Sequence, residues 1–400
     1  MSNFDKRLIP EVNIGTLGHV DHGKSTLVEV LTGKWTSTHS EELKRGITIK
    51  LGYADATIYK CTKCGSLSTT VKCPKDFEEC EAQRTVSFVD APGHETLMAT
   101  VLAGANLMDG VLFVIAANEK CPQPQTREHL MALGIVGIKN IIIVQTKIDL
   151  ISEEQALENY RQIKEFIKGS VAEHAPIIPV SAQQKINIDS LLQSIQEKIP
   201  TPVRDVSKPP KMYVVRSFDI NKPGTPVEKL KGGVLGGALV QGNFEVGREV
   251  EIRPGIKIKE KWESLRTKIV GLQKAEKDLQ EAGSGGLLGV LTELDPSIVK
   301  ADFLAGSLAG SELPSVLNKI SIKVNLLGAL LEGEKIEPIK IGEQLMLNIG
   351  TARTLGVVKT TKKEVEFDLK LPVCAEAGNR VVISRRISDR WRLIGWGLVK

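Results

Sequence analysis

The octapeptide GHVDHGKS, Gly18–Ser25, constrains this chain more than any other stretch. It fits G-x-x-x-x-G-K-[ST] and lies between VNIGTLG (Val12–Gly18), an apolar run of strand length, and TLVEVLTG (Thr26–Gly33), a helical pattern that stops at a glycine. A glycine-bearing loop leading from a buried strand into a helix start points several backbone N–H groups at one spot, where the helix dipole also favours negative charge. Phosphate suits such a layout. The expected contacts are Asp21, His22, Gly23, Lys24, Ser25 and Thr26, with Lys24 reaching the β and γ phosphates and the Ser25 hydroxyl binding Mg2+.

The motif implies a fold, and the next 180 residues agree with it. VSFVDAPG (Val86–Gly93), GVLFVIAAN, NIIIVQTKID and PIIPVSA (Pro176–Ala182) are short runs rich in β-branched residues, separated by helical patterns. This alternation predicts a doubly wound, mostly parallel sheet. IPTPVRDVSKPP, Ile199–Pro210, carries four prolines and reads as a linker. Beyond it come strand-sized segments with glycine turns, broken near ELPSVLN, which predict two all-β barrels. The expected domains are 1–205, 206–318 and 319–400.

Charge is unevenly distributed. Residues 1–200 hold 21 Lys and Arg against 24 Asp and Glu, a balance of −3, whereas residues 201–400 stand at +8. The basic half suits a polyanion partner, with Lys257, Lys259, Lys261, Arg266, Lys268, Arg385 and Arg386 as candidate contacts. The apolar runs are too short to span a bilayer, and MSNFDKRLIP lacks a signal-peptide core. A cytoplasmic protein is expected, with no membrane or DNA partner.

Four more segments decide which nucleotide. Asp90 in DAPGH ends a strand and can hold the metal through water, while the Gly93 N–H can contact the γ-phosphate. RGIT offers Thr48 to complete the Mg2+ shell. In TKID, Asp149 can accept hydrogen bonds from guanine N1–H and N2–H2, a donor pair adenine lacks, with Thr146 and Lys147 beside it. SAQ, Ser181, Ala182 and Gln183, can offer a backbone N–H to guanine O6. Together these motifs read as GTP/GDP, and DAPGH and TKID argue against a P-loop kinase.

CTKCGSLSTTVKCPKDFEEC, Cys61–Cys80, sets four of the six cysteines at C-x2-C-x8-C-x6-C. Cys61 and Cys64 form a zinc half-site. Cys73 and Cys80 are more widely spaced than a usual second half-site, and Asp76 stands three residues after Cys73. The expected Zn2+ ligands are Cys61, Cys64, Cys73 and Cys80, with Asp76 as the alternative fourth and free cytosolic thiols as the plain reading.

The set GHVDHGKS, RGIT, DAPGH, TKID, SAQ resembles the translational GTPases of the elongation factor Tu class. A cysteine knuckle between the switch threonine and DAPGH is similar to the gamma subunits of archaeal and eukaryotic initiation factor 2. WTSTHSEELKRGITIKLGYADA, NEKCPQPQTREHLMAL, KGGVLGGALVQG and SRRISDRWRLIGWG extend that likeness over nearly the whole chain, and the short N-terminus looks archaeal. The resemblance implies a GTPase in which His94 orients the attacking water, Val20 and Ile47 screen that histidine, and Asp21 and Gly46 also hold metal. It further implies binding of methionylated initiator tRNA, association with alpha and beta subunits, and delivery to the small ribosomal subunit. Position 146 departs from the family's usual Asn, so Asp149 carries more of the base selectivity. An elongation factor for aminoacyl- or selenocysteinyl-tRNA, or the GTPase subunit of a sulfate adenylyltransferase, shares the architecture and remains an alternative. His94 as a plain helix cap also remains.

Overall fold

The computed structural model describes residues 5–36, 48, 50–94, 97–327, 335–388 and 390–400. The chain forms two compact units, Met1–Pro202 and Val203–Lys400.

The first unit is built on strands β1 (Val12–Gly18), β2 (Gly52–Cys61), β3 (Leu67–Ser68), β4 (Cys80–Asp90), β5 (Gly110–Ala116), β6 (Ile141–Thr146) and β7 (Ile177–Pro179), in the sheet order β3-β2-β4-β1-β5-β6-β7. Its helices are α1 (Lys24–Thr32), α2 (Met98–Ala105), α3 (Pro124–Val136), α4 (Glu153–Ile167) and α5 (Ile188–Lys198). β1, β5 and β6 are buried at every position, as continuous apolar runs must be when helices cover both faces of a parallel sheet. Leu27 and Leu31 of α1 and Leu191 and Ile195 of α5 pack on Ile14, Phe88, Leu112 and Val144 in one core. Local signals set the helix ends. Ser152 and Gln155 form a capping box at the start of α4, and Gly33 and Gly137, at φ +71° and +87°, close α1 and α3.

The parallel strands β4, β1, β5, β6 and β7 end at one edge, which gathers Asp90, Gly18, Thr146 and the residues after Pro179. Ligands of open α/β sheets bind at this edge. β2 runs antiparallel to β4, paired from Gly52 opposite Asp90 to Cys61 opposite Cys80 with one register shift between Ile58 and Tyr59. The cysteine stretch is therefore the far end of a hairpin, a full strand length from the phosphate loop.

The second unit holds two barrels. In one, Lys211–Phe218 pairs with Val234–Gln241, then Leu288–Thr292, Lys261–Lys274, Glu249–Ile258 and Leu308–Gly310 follow in turn, and the last returns to the first. In the other, Val316–Leu326, Val365–Cys374, Ala352–Thr360, Gln344–Ile349, Arg380–Ile387 and Arg390–Val399 close a six-stranded ring. Among the described residues each strand of the two rings has a partner on both sides, so the rings themselves have no open edge. Among the described residues no helix is long and apolar enough to cross a membrane.

Candidate functional site

The phosphate loop leaves β1 at Gly18, where φ is +148° and a Cβ would lie 2.2 Å from the Val114 carbonyl oxygen, so only glycine fits. Gly23, at φ +87°, caps α1 in the left-handed conformation. Three side-chain contacts fasten the loop, two of them from residues outside it. The Gly18 N–H donates to His129 Nδ1 at 2.9 Å, the Thr146 hydroxyl donates to the His22 carbonyl at 2.7 Å, and the buried His22 ring places Nδ1 3.2 Å from the Val114 carbonyl. Burial pushes the His22 pKa down to about 4, so the ring is neutral at neutral pH. With its ring turned inward, His22 offers a ligand only its backbone.

Lys24 is 6% exposed and donates from Nζ to the His19 carbonyl at 2.6 Å. Burial pushes its pKa down to about 8, against the opposing pull of Asp90 and Asp21. A Cβ at Gly93 would fall 2.5 Å from Lys24 Nζ and 2.9 Å from the Val20 nitrogen, so the chain after β4 rests directly on the loop.

Beside Lys24, hydroxyls converge on a fully buried carboxylate. Asp90 Oδ1 accepts from Thr16 Oγ1, and its Oδ2 accepts from Ser25 Oγ and Thr36 Oγ1, each at 2.7 Å. Ser25 Oγ lies 3.1 Å from Thr48 Oγ1. A carboxylate ringed by hydroxyl oxygens is a hard donor set that fits Mg2+. Thr16 and Thr36 add to the expected set of Ser25, Thr48 and Asp90. Thr16 faces Asp90 as its register partner across β1 and β4, whereas nothing local in WTSTHS marks Thr36. Asp21 sits at an exposed turn with φ +60°. Gly46 and Ile47 lie outside the described residues. His94 and Val20 are half-buried, and the His94 carbonyl accepts from the Leu97 N–H at 2.9 Å, opening the turn that leads into α2.

A pocket of about 180 Å³ adjoins the loop, lined by Gly23 and Thr26 on one side, Thr146, Lys147, Asp149 and Leu150 on another, and Ala182 and Gln183 on a third. Its walls come from α1 and the ends of β6 and β7, with Lys147 at φ +60° turning Asp149 inward. Ser181 is the exception among the expected base contacts. Its fully buried Oγ accepts from the Gln184 N–H at 3.1 Å, so it shapes the turn that presents Ala182 and Gln183. The buried Gln145 amide donates to the Ala156 carbonyl and to Asn159 Oδ1, both at 2.9 Å, and so ties β6 to α4.

At the knuckle, the ligand atoms of Cys61, Cys64, Cys73 and Asp76 lie within 4.8 Å of one another. Cys64 and Cys73 bring their sulfurs to 3.6 Å, and Cys61 Sγ is 3.4 Å from Asp76 Oδ1. Three thiols and a carboxylate in one cluster fit tetrahedral Zn2+. Of the two expected fourth ligands, Asp76 is the one in this cluster. Cys80 is paired across the hairpin with Cys61 and lies buried with Cys61 and Cys73, its Sγ 3.9 Å from the Glu78 carbonyl. The tight turn from Cys73 to Phe77, closed by the Phe77 N–H on the Cys73 carbonyl at 2.9 Å, brings Asp76 to the cluster.

Arg385 is also placed differently from its reading as a polyanion contact. Its side chain is 14% exposed and engages Glu343 and the carbonyls of Glu337 and Pro338. Lys257, Lys259, Lys261, Arg266 and Lys268 remain exposed on one hairpin of the first barrel.

Residues 10–201 match the family model for the elongation factor Tu GTP binding domain, and residues 318–399 match that for initiation factor eIF2 gamma, C terminal. Two solved structures share the fold. A bacterial selenocysteine-specific elongation factor superposes with a TM-score of 0.75 at 26% identity, covering 98% of this chain and 58% of that one. An elongation factor SelB from Methanococcus maripaludis gives 0.73 at 24%, covering 98% and 79%. Sequence relatives are much nearer. Proteins named translation initiation factor 2 subunit gamma from Methanocaldococcus jannaschii and Pyrococcus horikoshii are each 59% identical over 400 residues, covering 98% of this chain and 97% of theirs. A distant shared fold with elongation factors beside full-length identity to initiation factors decides between the two, and the chain belongs to the gamma subunits of archaeal translation initiation factor 2, a family of translational GTPases.

Proposed function

We propose that this GTPase carries methionylated initiator tRNA to the small ribosomal subunit in the cytoplasm, as the gamma subunit of a factor completed by alpha and beta subunits, and that GTP hydrolysis ends the delivery. The observation that carries this reading is the joining of two half-sites. The hydroxyl-ringed Asp90 and buried Lys24 suit a nucleoside triphosphate, and Asp149 in the adjoining pocket suits guanine.

In this reading the domains are 1–205, 206–318 and 319–400. Asp21, His22, Gly23, Lys24, Ser25 and Thr26 surround the phosphates, and Gly93 reports the γ-phosphate. Asp149 reads the base beside Thr146, Lys147, Ala182 and Gln183, with Ser181 supporting the turn. The Thr146 hydroxyl on the His22 carbonyl supports a role as the link between base pocket and phosphate loop, in place of the family's usual Asn. Ser25 and Thr48 would hold Mg2+, Asp90 through water, with Asp21 and Gly46 as further ligands. When bound, Mg2+ neutralises charge on the β and γ phosphates. Lys24 holds the same phosphates with its ammonium. His94, on the turn after Gly93, orients the attacking water. Zn2+ at Cys61, Cys64, Cys73 and Asp76 keeps the knuckle folded.

The exposed lysines of the Glu249–Lys274 hairpin suit tRNA phosphates, whose contacts weaken with salt. A filter-binding comparison of initiator and elongator tRNA, each with GTP and with GDP, tests the proposal. Preference for initiator tRNA in the GTP state is expected. Equal binding of elongator tRNA would favour the elongation-factor reading, and no tRNA binding would favour the sulfate adenylyltransferase one.

A further inference from the structure

One buried side chain touches the phosphate loop from outside every motif. His129 sits on α3 within TREHLMAL, on a stripe with Thr126, Ala132 and Leu133 that faces the sheet. Its fully buried Nδ1 accepts the Gly18 N–H at 2.9 Å.

Gly18 is the residue at which β1 becomes loop. Its φ of +148° and the closeness of the Val114 carbonyl leave its backbone one arrangement. Its N–H points away from the loop interior and would be an unpaired buried donor without the imidazole. The amides that follow depend on this first turn for their direction. Farther along, the loop is held through the His22 carbonyl and ring, and Lys24 bonds the His19 carbonyl, so His129 is the fastening at the loop's beginning.

We propose that His129 is a positioning residue of the GTP site, an uncharged imidazole that fixes the exit of the phosphate loop from β1 by accepting the Gly18 amide through Nδ1. The tautomer follows from the bond. An accepting Nδ1 requires the proton on Nε2, which is itself buried and has no partner among the described residues. Burial, assisted by Lys24, His19 and His22, pushes the His129 pKa down to about 3, so the accepting form persists at any working pH.

The test uses the intact chain with GDP and GTP. His129→Leu keeps most of the volume and removes the acceptor, leaving Gly18 unpaired. It should weaken both nucleotides by about tenfold, with KM for GTP rising more than kcat falls. His129→Asn carries an acceptor oxygen at the place of Nδ1 and should restore most of the affinity even though it leaves a cavity and melts at a lower temperature. Equal weakening by Leu and Asn in folded protein would make His129 a packing residue and overturn the proposal. So would a Leu variant that binds both nucleotides as well as the parent. Should His129→Leu fail to fold, the nitrogen-15 spectrum of the unaltered GDP complex decides. An unprotonated Nδ1 coupled to the Gly18 amide is expected, and a protonated Nδ1 refutes the assignment.

Discussion

The nucleotide site and the cysteine knuckle are built in opposite ways. The ligand atoms of the knuckle come from Cys61 to Asp76, and nearly all its bonds stay within residues 61–80, one hairpin end. The nucleotide site collects Thr16, Ser25 and Thr36 around the Asp90 carboxylate, with Thr48 beside Ser25, and brings Thr146 and His129 onto one loop. A local site depends on the spacing of its own chain. A distributed site depends on the register of a parallel sheet, which places strand ends side by side however far apart they are in sequence. One described side-chain bond ties the knuckle to the rest of the unit, the ion pair of Lys75 with Asp189 at the start of α5, at 2.7 Å and largely exposed.

The sharpest way to break this comparison is at the base pocket. Asp149→Asn removes a charged acceptor of two donors and should weaken GTP by roughly 10²- to 10⁴-fold while raising affinity for xanthosine nucleotide. Unchanged selectivity in a competition assay would mean that the pocket reads the base by other groups. Next, His94→Ala should slow hydrolysis by about 10²-fold with GTP affinity near its starting value. Loss of affinity instead would make His94 a structural cap. At the knuckle, Asp76→Ala should lower zinc affinity by at least about tenfold, whereas Cys80→Ala should keep about one zinc per chain. The reverse outcome in metal analysis would restore Cys80 to the ligand set. Stripping the zinc should barely alter GTP affinity, because an exposed ion pair such as Lys75–Asp189 is worth at most about 1 kcal/mol. A large change would show that the knuckle is not energetically separate.

The smallest effect concerns Lys24. Phosphate oxygens favour its ammonium, so the bound pKa stands above the value of about 8 that burial sets in the protein alone. GTP affinity should therefore be fully present below about pH 8 and fall as pH rises through it, by at most about tenfold per unit. A flat profile in titrations between pH 7 and 8.5 would show Lys24 charged throughout.

How much was legible in the sequence differs between the two sites for the same reason. GHVDHGKS needed only its neighbours to be read, because a strand, a glycine turn and a helix start are local conformations. DAPGH and TKID were legible because each stands at a strand end, where a parallel sheet brings such segments together. Thr36 and His129 carry no local sign. One lies in a polar run and the other on an apolar stripe, and only the packing of α3 and the segment after α1 against the loop brings them to Asp90 and Gly18. At the knuckle the spacing pointed to a metal cluster but not to its fourth member. Cys80 was the softer and more zinc-like choice, and it lies buried with Cys61 and Cys73, while the short turn after Cys73 brings Asp76 to the same cluster.

Sequence by itself thus determined the fold class, the order of sheet and barrels, the guanine nucleotide and the family, because each rests on periodicity or on short motifs whose geometry is local. Tertiary structure alone decided which hydroxyls surround Asp90, which histidine holds the loop, that Asp76 joins three cysteines in one cluster, and that Arg385 serves its own barrel. Those are pairings between distant segments, and free energy selects them only once the register of the sheet and the packing of the helices have brought the partners within hydrogen-bonding distance.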